Sequence, residues 1–226
     1  MAFGERWLTS LWPFVSAQLP AAPARVLELG CGPIGGFVPA LLANGYDAVG
    51  IDSQAPAGER YRQVDFEQYA PPEPAAAIVA SRSLHHVGDV ALVLDRAVAA
   101  LRPGGVIVVA EWAWEQFDEE TAHWCFAHMR EAADGDAGWL QRRREGWRAS
   151  GATWDAYFGA WTSGHGLKPA DLVVAELDRR FERVACVREP YFFADLAGIS
   201  EQDERAAIGA GEIRATGIRY AGVLRA

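Results

Sequence analysis

Short apolar runs alternate with helical patterns through the first half of the chain. Between these runs, residues 35–44 and 89–101 carry apolar side chains at the i, i+3, i+4 spacing of a helix with one buried face. Strands that alternate with helices in this way favour a parallel sheet covered on both faces. The apolar runs predict four strands and a weaker fifth: 25–29, 47–51, 75–80, 106–111 and 61–64.

The pattern changes after Trp112, where helical periodicity replaces the strand–helix alternation. Seven of the nine tryptophans lie between Trp112 and Trp161. A helix over 169–180, two strands at 181–188 and 216–225, and a helix over 200–211 between those strands are predicted next. The predicted fold is therefore α/β: a doubly wound, mostly parallel seven-stranded sheet that ends in an antiparallel hairpin, with a helical insertion as a cap. The predicted parts are an N-terminal capping helix and linker (1–24), a nucleotide-binding core (25–111), the Trp-rich insertion (112–168) and the completion of the sheet (169–226).

Composition narrows the classes of partner. The formal net charge is −9, and a nucleic-acid partner requires a cationic surface, so none is expected. No run approaches the roughly 20 apolar residues of a membrane span. Residues 5–19 predict an amphipathic helix rather than a signal peptide, although Pro13 predicts a kink or a second turn in it. Three cysteines without C-x-x-C spacing favour a reducing, cytoplasmic location and no metal site.

A glycine-rich turn is the strongest chemical signal. The segment 27–36 reads Leu-Glu-Leu-Gly-Cys-Gly-Pro-Ile-Gly-Gly, a strand that runs into a turn and then a helix. Glycines allow a ligand to approach the backbone closely, and the amides of the following helix point towards its polar groups. Asp52 ends the next strand, where a carboxylate can accept both hydroxyls of a ribose. Because Gly30, Gly32 and Gly35 also match G-x-G-x-x-G, the spacing alone leaves a dinucleotide open.

Further segments resolve this ambiguity by resemblance. The chain resembles the class I S-adenosylmethionine (SAM)-dependent methyltransferases in five segments that occur in the family's order. These are 26–32 around the glycine turn, 49–52, 64–66, 81–87 and 101–105. One departure is Ile34, which precedes Gly35 and lengthens a turn that is usually a compact G-x-G-x-G.

The resemblance implies SAM as the cofactor and a role for each matching residue. Glu28, Gly30 and Gly32 would hold the methionine end of SAM, and Ser81 would line the same pocket. Asp52 would bind the ribose hydroxyls. Asp65, with Phe66 beside it, would face the adenine.

The candidate catalytic residues are His85, His86, Glu111 and His165. The two adjacent histidines follow the fourth strand at the carboxyl end of the sheet, where ligands bind, but Leu-His-His is common in the family whatever the substrate. Glu111 ends the most apolar strand and either faces the pocket or caps the strand. His165 lies between two glycines in a predicted flexible loop. His123 and His128 are five residues apart, so they do not share a helix face as a metal pair would.

The predicted reaction is transfer of the SAM methyl group to an oxygen or nitrogen atom of a small molecule. The N-terminal helix and the Trp112–Trp161 segment are expected to roof the acceptor beside the methyl group. Two alternatives stay open at this point. An NAD-dependent oxidoreductase would need a hydride-transfer set that is not evident, and a non-catalytic SAM-binding interaction module would bind SAM without consuming it. The sequence does not indicate the oligomeric state.

Overall fold

A computed structural model describes residues 3–130 and 138–225. The described residues contain a seven-stranded sheet with the order β3-β2-β1-β4-β5-β7-β6. The pairs β1–β2, β1–β4, β2–β3 and β4–β5 are parallel. The strands are β1 (Arg25–Leu29), β2 (Asp47–Ile51), β3 (Tyr61–Arg62), β4 (Ala75–Ser81), β5 (Leu101–Trp112), β6 (Phe181–Glu189) and β7 (Gly217–Leu224).

The last two strands form the predicted antiparallel pair. The N–H of Arg225, just after β7, donates to the carbonyl oxygen of Arg180, just before β6, at 3.1 Å. The end of one strand therefore lies beside the start of the other. The structure confirms the predicted α/β fold with a mostly parallel sheet.

Eight α-helices are present in the described residues. Asp89 caps α3 as predicted, because its carboxylate accepts from the Leu92 N–H at 3.1 Å. Pro13 does not break the N-terminal helix, which continues on both sides of it. The helices are α1 (Phe3–Gln18), α2 (Val38–Ala43), α3 (Val90–Ala100), α4 (Glu119–His128), α5 (Trp139–Ser150), α6 (Trp154–Gly164), α7 (Ala170–Arg180) and α8 (Glu201–Gly209).

Helix α2 begins later than the sequence pattern predicted. The segment 32–37 forms turns instead of helix. Gly35 and Gly36 have φ values of 85° and 56°, which lie in the left-handed region and cannot belong to a right-handed helix. The longer glycine turn therefore takes residues that the apolar periodicity had assigned to the helix.

The chain forms two compact units. The first comprises the chain up to Trp112, Lys168–Val187 and the chain from Ile218, and it contains nearly all of the sheet. The second comprises Ala113–Leu167 and Arg188–Gly217. No described helix combines the length and hydrophobicity that a bilayer crossing requires.

The second unit has its own aromatic core. Trp154 is fully buried and donates its indole N–H to the Phe117 carbonyl oxygen at 2.7 Å. Its ring stacks on Phe158 with centroids 4.8 Å apart and meets Phe117 edge-on at 5.3 Å. At least this tryptophan of the Trp-rich segment is a core residue of its own unit, with its N–H satisfied as burial requires.

Candidate functional site

The glycine turn after β1 has one packed and one open glycine. Gly30 and Gly32 have φ values of 75° and 62°, in the region that favours glycine. A Cβ on Gly30 would overlap the Ser83 side chain, whereas a Cβ on Gly32 would meet no atom within 4 Å. Gly30 thus allows the loops after β1 and β4 to pack together, and Gly32 leaves backbone accessible to a ligand.

Asp52 lies just after β2 and faces this turn. Its Oδ2 accepts from the Gly32 N–H at 2.9 Å, and its Oδ1 accepts from the Gln54 N–H at 2.7 Å. A carboxylate offers about four acceptor positions, so two backbone bonds leave capacity for two hydroxyl donors. The side chain is half-buried, which keeps it within reach of a ligand.

Glu28, in contrast, is turned into the protein. Its Oε2 accepts from the N–H groups of Phe37 and Val38 at 2.7 and 3.1 Å, where α2 begins. The carboxyl group also occupies the space that a Cβ on Gly36 would need. Its pKa is raised from 4.5 to about 8, chiefly by burial and also by the charge of the nearby Asp52, against the lowering effect of the two backbone bonds. Glu28 therefore ties the glycine turn to β1.

Asp65 and Phe66 follow β3 at the start of a short 3₁₀ turn, Phe66–Gln68. Asp65 is exposed, and its carboxylate makes no hydrogen bond or ion pair with another residue in the ranges 3–130 and 138–225. Phe66 is buried. The pair therefore combines an exposed hydrogen-bond acceptor, the Asp65 carboxylate, with the buried apolar ring of Phe66.

The N-terminal helix α1 reaches the carboxyl end of β4. Trp7 is buried and donates its indole N–H to Ser81 Oγ at 2.9 Å. The Arg82 guanidinium lies 5.3 Å from the centroid of the Trp7 ring, within cation–π range. At the start of α1, a Cβ on Gly4 would overlap the side chain of Ile34 in the glycine turn. Sequence reasoning did not identify Trp7 as the partner of Ser81, because the two residues are 74 positions apart.

Arg82 has a backbone conformation that is rare for its residue type. Its φ is 53°, in the left-handed region that a non-glycine residue seldom adopts without surrounding support. The Arg82 N–H donates to the Ala110 carbonyl oxygen at 2.9 Å. Nothing in the sequence predicted this backbone conformation at Arg82.

Glu111 and His85 form a buried pair behind the loop after β4. His85 Nδ1 lies 2.5 Å from Glu111 Oε2. The N–H groups of Ser83, Leu84 and Trp112 also donate to the carboxylate, at 2.8, 2.6 and 3.1 Å. Burial would raise the pKa of Glu111, but the charge and hydrogen bond of His85 and the backbone bonds from Leu84 and Trp112 lower it overall. Glu111 is thus a carboxylate that anchors the loop, and it accepts a hydrogen bond from the Nδ1–H group of His85.

The other two candidate histidines have different surroundings. The His86 ring is exposed and lies 4.0 Å from the His85 ring, centroid to centroid. His165 directly follows α6 in the second unit, and its Nδ1 lies 2.7 Å from the Trp161 carbonyl oxygen. The predicted position of His165 in a loop is confirmed, since it lies in the turn that follows α6. Its ring contacts the last turn of that helix.

No metal site is found among the described residues: they contain no group of three or more His, Cys, Asp or Glu side chains that could hold an ion. His123 instead lies 3.7 Å from Glu119, and His128 Nδ1 lies 2.8 Å from the Trp124 carbonyl oxygen.

The arrangement in the first unit fits SAM. The uncrowded space beside Gly32 leaves room for the amino-acid end of the cofactor. The spare capacity of Asp52 suits two ribose hydroxyls, and the available Asp65 carboxylate suits an exocyclic amine. All three lie at the carboxyl ends of parallel strands on one side of the β1–β4 boundary, where the strand order reverses.

Comparisons with known proteins agree with this geometry. A family model described as "Methyltransferase domain" matches residues 5–149. Over 106 residues the chain is 34% identical to a ubiquinone biosynthesis O-methyltransferase of Azorhizobium caulinodans, which covers 40% of this chain and 41% of the relative. Over 104 residues it is 39% identical to a trans-aconitate 2-methyltransferase of Variovorax paradoxus, with 40% and 39% covered. The chain therefore spans about two fifths of the length of these curated relatives.

A solved structure extends the likeness of the fold to nearly the whole chain. It is N-methyltransferase NodS from Bradyrhizobium japonicum WM9 in complex with S-adenosyl-L-homocysteine, with a TM-score of 0.53, 16% identity, and coverage of 99% of this chain and 88% of that chain. The family match also decides between the two cofactors that the glycine spacing left open. The chain belongs to the methyltransferase-domain family.

Proposed function

We propose that the enzyme methylates an oxygen or nitrogen atom of a small, flat or apolar molecule. The observation that carries this proposal is the position of α1, whose Trp7 is fixed to Ser81 at the carboxyl end of β4. An aromatic helix at this edge excludes water and offers an apolar wall to a small acceptor. The net charge of −9 disfavours phosphate-rich polymers as acceptors.

Bound SAM supplies a methyl group that its sulfonium already activates, so the protein contributes mainly alignment. We assign Asp52 to the ribose hydroxyls, Asp65 to the adenine amine, and the backbone at Gly32 to the amino-acid end. Glu28 acts indirectly, because its carboxyl group holds the turn and the start of α2 in place. Ser81 acts as the anchor of Trp7 and forms part of the adjoining wall.

The His85–Glu111 pair offers a base where the acceptor must lose a proton. Glu111 takes the hydrogen bond from Nδ1 and thereby leaves Nε2 as the proton-accepting nitrogen of the ring. His85 is only 4% exposed, so it would serve an acceptor that enters the pocket fully. The exposed His86 beside it is the alternative base, and an acceptor that is already deprotonated needs neither.

The names of similar proteins support the acceptor class. The two curated relatives are named for O-methylation in ubiquinone biosynthesis and for methylation of trans-aconitate. NodS is named as an N-methyltransferase. Each name indicates a small-molecule acceptor or methylation of an oxygen or nitrogen atom. The proposal for this chain therefore includes both oxygen and nitrogen as the methylated atom.

A methylation screen tests the acceptor class. Purified enzyme with SAM is offered catechols, polycarboxylic acids and aliphatic or aromatic amines, with bulk tRNA and casein as polymer controls, and the products are read by mass spectrometry. A gain of one methyl group on a small molecule supports the proposal. Methylation confined to tRNA or casein would contradict it.

The role of α1 has its own test in Trp7→Phe, which keeps an aromatic ring but removes the hydrogen bond to Ser81. Trp12→Phe on the same helix is the matched control. We expect Trp7→Phe to lower kcat/KM for the acceptor by about tenfold, as loss of one positioning hydrogen bond allows, while the Kd for SAM changes by only a few-fold. Equal loss of SAM binding would show that α1 belongs to the cofactor site instead.

A further inference from the structure

Lys168 is the only lysine in the chain, and its backbone lies beside the loop that follows β4. Its N–H donates to the carbonyl oxygen of His85 at 2.9 Å. Helix α7 begins two residues later and packs against the short 3₁₀ turn Leu84–His86 of the same loop. Lys168 is therefore held next to the two adjacent candidate histidines at the carboxyl end of the sheet, and it belongs with them to the first unit.

No described carboxylate pairs with the charge of Lys168. The residue is half-buried, and its ammonium group makes no hydrogen bond or ion pair with another residue in the part of the chain that the structure describes. The buried carboxylate behind the loop, Glu111, is occupied by His85 and by backbone N–H groups. Arg82, another cation of the loop, lies against the Trp7 ring. Lys168 thus brings to this loop a positive charge that a further carboxylate can neutralise.

Protein stability does not account for a cation at this position. Lys168 precedes the first turn of α7, and the helix dipole disfavours a positive charge near the N-terminus of a helix. Asp171, the acidic residue of that turn, is not paired with Lys168. Ligand binding explains the residue better. In a chain with a net charge of −9, an anionic molecule is repelled by the protein as a whole and needs a local positive charge in order to bind.

We propose that Lys168 is a specificity-determining residue that binds a carboxylate of the methyl acceptor. The inference rests on the proposed function, methyl transfer to a small molecule, and narrows the acceptor to an organic acid. A lysine carries a compact charge and three N–H donors on a flexible four-carbon stem, so its ammonium group can adjust to a carboxylate beside the His85 loop. Because hydrogen bonds between charged groups are roughly twice as strong as those between neutral groups, such a residue selects an acid over an amide of the same shape.

Calorimetric titration tests this preference with two probes of nearly the same shape, 3,4-dihydroxybenzoate and 3,4-dihydroxybenzamide. Each is titrated into the full chain in the presence of S-adenosyl-L-homocysteine, so binding is measured without turnover. We expect the acid to bind about tenfold or more tightly than the amide, as a hydrogen bond between charged groups allows, and the preference to weaken as added salt screens the charge. Equal affinity for the two probes, or no binding of either, would overturn the proposal.

Variants of Lys168 assign the preference to this side chain. Lys168→Met removes the charge but keeps a long side chain, and it should abolish the preference for the acid while the affinity for the amide changes little. Lys168→Arg keeps the charge and should keep most of the preference. Arg102→Met is the matched control, because it removes one positive charge from an exposed residue at the start of β5, at the opposite end of the parallel strands. An unchanged preference for the acid in Lys168→Met would contradict the inference.

Chemical acetylation gives a second readout, since Lys168 carries the only side-chain amine of the chain. The complex with S-adenosyl-L-homocysteine is treated with an acetylating N-hydroxysuccinimide ester, and the modified peptides are quantified by mass spectrometry. Added 3,4-dihydroxybenzoate should slow acetylation of Lys168 several-fold, whereas 3,4-dihydroxybenzamide should not. Acetylation at the same rate with and without the acid would show that the bound acid does not contact Lys168.

Two further measurements separate this inference from the proposed function. Lys168→Met should leave the Kd for SAM within a few-fold. A tenfold loss of SAM affinity, with the preference for the acid unchanged, would assign Lys168 to the carboxylate of the cofactor and overturn the proposal. If the methylation screen finds only amines or neutral catechols as acceptors, the proposed function stands and the role of Lys168 fails. If only tRNA or casein is methylated, the proposed function fails and this inference fails with it.

Discussion

The buried Glu28 leads to a prediction about stability and pH. Its pKa is raised from 4.5 to about 8 in the folded protein. A carboxyl group with a raised folded pKa binds its proton more tightly in the folded state. The resulting stabilisation is fully present below 4.5 and is lost as the pH rises through about 8. The gap between these values corresponds to at most about 5 kcal/mol in the free energy of unfolding.

Glu28→Gln isolates this contribution. The glutamine oxygen can still accept from the Phe37 and Val38 N–H groups, but the side chain cannot ionise. We expect similar stabilities near pH 5 and a growing advantage of the variant up to about pH 9, because only the unaltered protein must bury a charge. The advantage should reach several kcal/mol and stay below about 5.

Urea unfolding of both proteins at each pH measures the difference directly, and other titrating groups cancel because they are common to both. Glu59→Gln is the control, since Glu59 is exposed and should give a flat difference. A difference between Glu28→Gln and the unaltered chain that does not change with pH would refute the reasoning. It would mean that Glu28 ionises as readily in the folded protein as in the unfolded chain.

Two further predictions concern the cofactor and the loop anchor. Asp52→Ala should weaken SAM binding by roughly tenfold to a hundredfold, because hydrogen bonds to a charged group contribute about 1.5–3 kcal/mol; calorimetry measures it, and unchanged affinity in a folded variant would remove Asp52 from the ribose site. Glu111→Gln should cost about 1.5–3 kcal/mol at neutral pH, because it removes the charge of the group that accepts the hydrogen bond from His85. The pKa of Glu111 is lowered in the folded state, so this cost should shrink as the pH falls below 4.5, and a cost independent of pH in urea unfolding would contradict the assigned charge.

The central strands could be predicted from the sequence because local pattern decides them. β1 and β2 begin and end at the predicted residues, since each is an apolar run next to a proline- or glycine-containing turn. β5 was predicted to begin at Val106, but it begins at Leu101. The pairing of Leu101 with Ala75 carries the Pro-Gly-Gly segment into the strand, which a local turn signal does not reveal.

The sequence predicted where the site residues lie, but it did not predict which residues they contact. Motif spacing placed Glu28 and Asp52 at the glycine turn, yet both are acidic residues at strand ends and nothing in the sequence distinguishes a buried carboxyl from an open one. The hydrogen bond of Trp7 to Ser81 and the contact of His85 with Glu111 depend on tertiary packing between distant segments. Such contacts follow from the fold and leave no local signature.

The most direct test of the account is calorimetric titration of the purified chain with SAM and, in parallel, with NAD. The spacing of the glycine turn and Asp52 fits either SAM or NAD. Comparing the two ligands therefore tests which cofactor the site binds, and not only whether it binds one. The account predicts that SAM binds with a low-to-mid micromolar Kd and that NAD gives no binding heat. Tight binding of NAD without any heat from SAM would contradict it.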